Sequence, residues 1–192
     1  MPTEAARQRL REIASGAIDA ALRCGRAEPG YHQYIGPAEL RAELAAPGAS
    51  FVTLLRDDRL RGCIGSLQAQ RPLAEDVAHN AVAAALSDPR FAPLQPAEFP
   101  DVAIHISVLG EPQPLDCSSE AALIAALRPG VDGLILREGE GPGAAQATYL
   151  PSVWLQLPDP RDFVRQLKLK AGLPEQYWSE RMRAASYRVD AF

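Results

Sequence analysis

The chain holds few of the side chains from which metal centres, disulfide scaffolds and redox sites are assembled. Its 192 residues include three cysteines and three histidines, and aromatic residues make up only 6%. Cys24, Cys63 and Cys117 are odd in number and far apart, with no CxxC pair and no Cys/His zinc spacing. Neither a disulfide framework nor a zinc knuckle is supported. His32, His79 and His105 are equally scattered, so no local pattern announces a metal, and none names a cofactor. An excess of positive charge is also missing: 20 Lys and Arg against 24 Asp and Glu give a net charge of −4. That balance argues against a nucleic-acid partner and against a polybasic membrane-binding surface. No apolar run approaches the length of a membrane span, and the N-terminus lacks the charged-then-apolar pattern of a signal peptide. A cytoplasmic address is the expectation.

What is present is a globular composition, 47% hydrophobic and 23% charged, over residues 1–192. The length suits one domain, either a single compact unit or one with two lobes. Thr3 is placed to cap a first helix, with Leu10, Ile13, Ala17 and Ala21 at helical spacing and Gly25 ending it. A loop with Tyr31, His32 and Tyr34 precedes a short helix from about Pro37. Apolar runs at 51–55 and 60–67, joined through Asp57 and Asp58, read as a β-hairpin. A helix opened by Pro72 and ended at Asp88-Pro89 follows, then an alternating strand over 101–109. Next come a helix capped by Ser118 or Ser119 and a second hairpin over 133–137 and 147–150. Helical segments from Pro151 and Pro160, a stop at Gly172 and a closing strand over 187–192 complete the pattern. The two halves rhyme: hairpin, proline-opened helix, Asp-Pro-Arg with a nearby phenylalanine (Phe91, Phe163), late strand. Structural duplication is one reading of the rhyme and chance is the other, since Asp-Pro is a common helix boundary.

Residues 59–67, R-L-R-G-C-I-G-S-L, carry the most chemistry for their length. In a strand, Arg61, Cys63 and Gly65 share one face, which would bring a guanidinium near the thiol and favour its nucleophilic thiolate form. Gly62 and Gly65 remove side-chain bulk, so that backbone or ligand approaches closely or the strand bulges. Three readings of Cys63 stand open: packing as a small hydrophobe, contact with a ligand, and covalent nucleophile. Packing ranks first. On the helix after Pro72, Asn80 projects into the apolar stripe of Leu73, Val77, Ala81 and Ala84, where its amide needs partners. Nearby backbone is preferred there over a ligand. His79 points away, beside Glu75, on the solvated side. Asp88, Arg90 and Phe91 leave this helix in a tight turn, either bonding locally or bordering a pocket beside Arg61 and Cys63. His105 and Ser107 share a strand face, but no acid is placed to orient them as a catalytic pair. The glycine-rich turn over 138–143 lacks a phosphate-loop lysine and reads as a hairpin tip.

Six segments in order resemble one family: Leu60-Arg-Gly-Cys-Ile-Gly65, Asp88-Pro-Arg-Phe91, Ile106-Ser-Val-Leu109, Gly130-Val-Asp-Gly-Leu134, Thr148-Tyr-Leu-Pro151 and Lys170-Ala-Gly-Leu173. Together they identify the chain, from about Phe51 to Phe192, as similar to the AMMECR-one domain family. The resemblance implies an α+β fold of duplicated strand-helix repeats around a curved, barrel-like, mostly antiparallel sheet with flanking helices. It also implies a prokaryotic setting beside a Memo-like protein and a radical SAM enzyme as partners. The suspected functional motif of the family falls on Arg61, Gly62, Cys63 and Gly65, and Asn80, Asp88, Arg90 and Ser107 match further recurrent positions. Two departures stand out: Asp58 where relatives often carry glycine, and His105 where they are frequently acidic. The second weakens any mechanism that needs His105. The expected function is a cleft centred on Arg61 and Cys63 that binds or modifies a small molecule or protein segment. In that picture Cys63 is the thiolate or contact residue and Arg61 its electrostatic partner, with Asn80, Asp88 and Arg90 forming the walls. The rival is a non-catalytic adaptor that docks onto its partner enzyme and uses the motif only to pack the hairpin.

Overall fold

The computed structural model describes residues 1–24, 38–141 and 143–192, so the expectations for Gly25, Tyr31, His32, Tyr34 and Pro37 lie outside the described residues. In chain order the elements are α1 (Glu4–Cys24), α2 (Ala38–Ala45), β1 (Pro47–Arg56), β2 (Arg59–Gly65), β3 (Arg71–Pro72), α3 (Leu73–Leu86) and β4 (Val102–Leu109). They continue with β5 (Gln113–Leu115), α4 (Glu120–Ala126), β6 (Gly133–Glu138), β7 (Ala145–Tyr149), α5 (Pro160–Lys170), β8 (Met182–Tyr187) and β9 (Val189–Ala191). The chain forms two compact units, residues Met1–Leu109 with Asp190–Phe192, and residues Gly110–Val189. No helix among the described residues is long and apolar enough to cross a membrane.

In the first unit the strands lie in the order β2-β1-β4-β9, with β3 also paired to β1. Thr3 does cap α1, its hydroxyl accepting from the Ala6 amide at 3.3 Å, and Leu10, Ile13, Ala17 and Ala21 are buried as the spacing requires. Helix α3 packs against α1, β1 and β2, and it is buried on nearly every side because Ala74, Ala78, Ala81, Ala84 and Ala85 let its neighbours come close. On β4, Ile106 and Val108 are buried and Val102 and Ile104 pack against the same core, while His105 on the alternate face is exposed. Asp57 and Asp58 both take left-handed backbone, with φ of 51° and 57°, which turns β1 into β2 over two residues.

The second unit has the strand order β5-β8-β6-β7 and its own core of Leu123, Leu134, Leu136, Trp154, Phe163 and Leu167. Trp154 stacks on Phe163 with ring centroids 3.7 Å apart. Ser119 caps α4, Asp159 caps α5 with Pro160 next, and Gly172, at φ +78°, lets the chain turn after α5. Lys168 is fully buried, its ammonium held by both Glu120 carboxylate oxygens at 2.8 and 2.9 Å.

Three expectations change. The strands form two open antiparallel sheets instead of one barrel-like sheet. The closing strand splits, with Tyr187 ending β8 in the second sheet while 189–191 form β9 beside β4 in the first. The segment from Pro151 is helical as expected, but as a short 3-10 helix, Pro151–Leu155. The strand-helix repeat survives as topology: β1 is flanked by β2 and β4, and β6 by β7 and β8, all antiparallel, with α3 and α5 on the matching connections. The Asp-Pro-Arg segments are not equivalent, since Asp88 follows α3 whereas Asp159 opens α5.

Candidate functional site

Gly62 and Gly65 are glycines for reasons internal to the first unit. A Cβ on Gly62 would run into the Ala84 carbonyl of α3, and one on Gly65 into the Phe51 ring. Gly62 therefore marks the face of β2 that meets the helix, and Cys63 lies on the face turned away from it. On that face the thiol sits in one cross-strand row with Thr53 of β1 and His105 of β4, and Gly65 in the next row with Phe51 and Ser107. Cys63 is half-buried, and its sulfur accepts a hydrogen bond from the Thr53 hydroxyl at 3.3 Å. Ser107, also half-buried, stands across Phe51 from Gly65 rather than beside the thiol.

Arg61 does not meet Cys63. The register slips by one residue between Leu54 and Leu55, so Gly62 pairs with Leu54 and Leu60 with Leu55, leaving Arg61 as the extra residue of a bulge. Its guanidinium grips Glu98 through two nitrogens at 3.0 and 3.3 Å and donates to the Ala92 carbonyl at 2.9 Å. Arg61 above all, and then the Gln95 amide, hold the Glu98 carboxyl down to about 2, with Arg56 adding a further ion pair at 3.0 Å.

The guanidinium that reaches Cys63 is that of Arg90. It donates to the Cys63 carbonyl at 3.3 Å and to Asp88 at 2.7 and 3.0 Å, and the Asp88 carboxylate accepts the Cys63 amide at 2.8 Å. The Asp88 side chain is 1% exposed. Arg90 holds its carboxyl far below the usual carboxylate range against the opposing effect of burial, with the Cys63 amide contributing. The Asp88 charge in turn raises the guanidinium of Arg90, which also lies over the Phe91 ring. Of the predicted site residues, Cys63, Asp88 and Arg90 thus come together.

Asn80 belongs to a different cluster, on the helix side of the sheet. Its amide donates to the Ser50 carbonyl at 3.0 Å and to Asp76 at 2.9 Å, and Asp76 also accepts from the Ser50 amide, the Ser50 hydroxyl and the Ser66 hydroxyl at 2.7–2.8 Å. Asp76 and Asn80 are each 1% exposed. The sequence reading missed Asp76, Ser50, Ser66, Thr53 and Glu98. Asp76 lies one turn before Asn80 on the same helix, but only the contacts from Ser50 and Ser66 distinguish it from a solvated carboxylate.

Cys24 is exposed and Cys117 half-buried, with burial pushing the Cys117 thiol up. A cavity of about 720 Å³ opens in the second unit against α4 and α5, lined by Glu120, Ile124, Arg161, Asp162, Arg165 and Glu175 among others, and does not involve the Cys63 motif. The described residues contain no cluster of three or more His, Cys, Asp or Glu able to hold a metal ion.

Residues 11–192 match the family model described as AMMECR1. A protein of Methanothermobacter thermautotrophicus is 36% identical over 144 residues, covering 74% of this chain and 73% of its own length. One of Thermofilum pendens is 42% identical over 124 residues, covering 62% of this chain, so the match spans about half, 54%, of that relative. Among solved structures, the crystal structure of an uncharacterized protein of Pyrococcus horikoshii, PH0010, superposes with a TM-score of 0.79 at 29% identity. That superposition covers 95% of this chain and 88% of the other.

Proposed function

The chain belongs to the AMMECR1 family, and from that premise we propose that it is a cytoplasmic component of a Memo/radical SAM system. In this reading it takes up a small molecule or protein segment on the face of its first sheet that carries Cys63. Cys63 is the contact thiol, Thr53 donates to its sulfur, and Asp88 with Arg90 fixes its backbone, while His105 and Ser107 border the face. The observation that carries the reading is the placement of Cys63. The thiol stands apart from the helix-covered core, only half-buried, with its own amide and carbonyl both held by a charged pair. A cysteine that serves only as a small core hydrophobe needs none of this.

Alkylation by iodoacetamide tests it, in a Cys24→Ser background that removes the exposed thiol. Cys63 is expected to react faster than Cys117, whose thiol is raised by burial. Protection of Cys63 until global unfolding would return it to packing.

The adaptor reading keeps specific support. Arg61 is engaged by Glu98, Gly62 and Gly65 are filled by Ala84 and Phe51, and Asn80 is consumed by Ser50 and Asp76. Most of the family motif therefore builds the hairpin, as an adaptor would require.

A further inference from the structure

Strand β2 ends the first sheet, with β1 on one side and no strand among the described residues on the other. Such an edge offers unpaired amides and carbonyls to any extended chain. At Cys63 both groups are already taken: the amide by Asp88 at 2.8 Å and the carbonyl by Arg90 at 3.3 Å. An acceptor and a donor facing the donor and acceptor of one residue is what the opposite residue of an antiparallel strand supplies. Here two side chains supply it. The contacts continue in the antiparallel sense, because Ala92 meets Arg61 of β2 through its carbonyl and Glu98 meets Arg61 and, on the other strand of the hairpin, Arg56 of β1. Residues 88–98 therefore run back past β2, tied to the hairpin by charged side chains in place of a backbone ladder and to α3 by buried Leu94, whose amide donates to the Ala85 carbonyl at 2.8 Å.

We propose that residues 88–98 form a strap that stands in for a neighbouring strand, and that the Asp88–Arg90 pair keeps the edge of β2 closed to a second copy of this chain. The inference is independent of what the Cys63 thiol does. With the pair removed, the amide and carbonyl of Cys63 face solvent, and two β2 edges meet antiparallel about a two-fold axis, each supplying the same surface.

Two measurements on the full chain test this. In amide hydrogen exchange, Cys63 is expected to exchange about tenfold faster in Asp88→Ala than in wild type. The Ile106 amide, bonded to the Phe192 carbonyl at 2.9 Å, should stay unchanged as the control. In sedimentation velocity, Asp88→Ala/Arg90→Ala is expected to gain mass with concentration beyond wild type. Adding Leu60→Lys, a charge on the exposed part of β2, should restore wild-type behaviour. A Cys63 amide that exchanges equally fast in wild type and Asp88→Ala overturns the strap. A freed edge without added self-association, or association that Leu60→Lys leaves intact, overturns its edge-closing role. Should the double variant fail to fold, Arg90→Met, which has no side-chain donor, leaves Asp88 on the amide and frees only the carbonyl, and the same comparison of mass decides.

Discussion

Gly62 and Asn80 show how far individual residues of the motif region are committed to structure. A methyl group at position 62 would collide with the Ala84 carbonyl, part of a helix packed against α1 and the sheet, so neither side gives way easily. Gly62→Ala is expected to cost about 1–3 kcal/mol of stability by overpacking, and an unchanged urea midpoint would show that α3 moves freely. Asn80→Ala or Asn80→Leu should cost about 1–3 kcal/mol, because each strips a donor from buried Asp76 and from the Ser50 carbonyl. Retained stability with lost partner binding would instead place Asn80 in a recognition site. The sequence made Asn80 legible, since an amide in an apolar stripe must be bonded. It did not reveal Asp76, because a carboxylate on that helix reads as a solvated charge until the serines that satisfy it are known.

At the scale of elements, the hairpin and its turn were legible and its register was not. Counting back from the Asp57-Asp58 turn pairs Arg56 with Arg59, and an unbroken count would set Thr53 opposite Gly62. The bulge at Arg61 shifts the ladder by one, so Thr53 faces Cys63, and it sends the Arg61 side chain to Glu98. A bulge depends on what packs against the strand, which a strand pattern does not contain. The strap it serves has a definite pH signature. Glu98 titrates at about 2 in the folded chain, below its unfolded value of about 4.3. Its contribution is therefore complete above the ordinary carboxylate range and is lost as pH falls through that range toward 2. Asp88, also depressed, acts in the same direction. Urea unfolding followed from neutral pH into this acid window should show stability falling less steeply in Glu98→Gln than in wild type. Identical slopes would mean that the Arg61–Glu98 contact is broken in solution.

For the molecule as a whole, the hairpin-helix-strand rhyme was legible because it rests on turn and helix signals repeated along the chain. Its division into two open sheets was not, since strand partners across long connections leave no local trace; the break at Arg188 between β8 and β9 is the plainest case. The same limit applies to function, where enzyme and adaptor readings share one motif and diverge only in what Cys63 must do. Cys63→Ser separates them. Serine is close in size, and its hydroxyl keeps a partner in Thr53 at this half-buried position, so the variant should fold with little loss of stability. Without a base beside it, the hydroxyl is a far poorer nucleophile than the thiol. With the proposed Memo-like and radical SAM partners present, the adaptor reading expects the variant to associate and the output of the proposed system to persist. The thiol reading expects association to persist and output to be lost. Because the Asp88–Arg90 pair holds the backbone at position 63 and not its side chain, association is expected to survive in either case. The expected outcome is retained binding in a pull-down with loss of the system's output, and a fully active Cys63→Ser protein would decide for the adaptor.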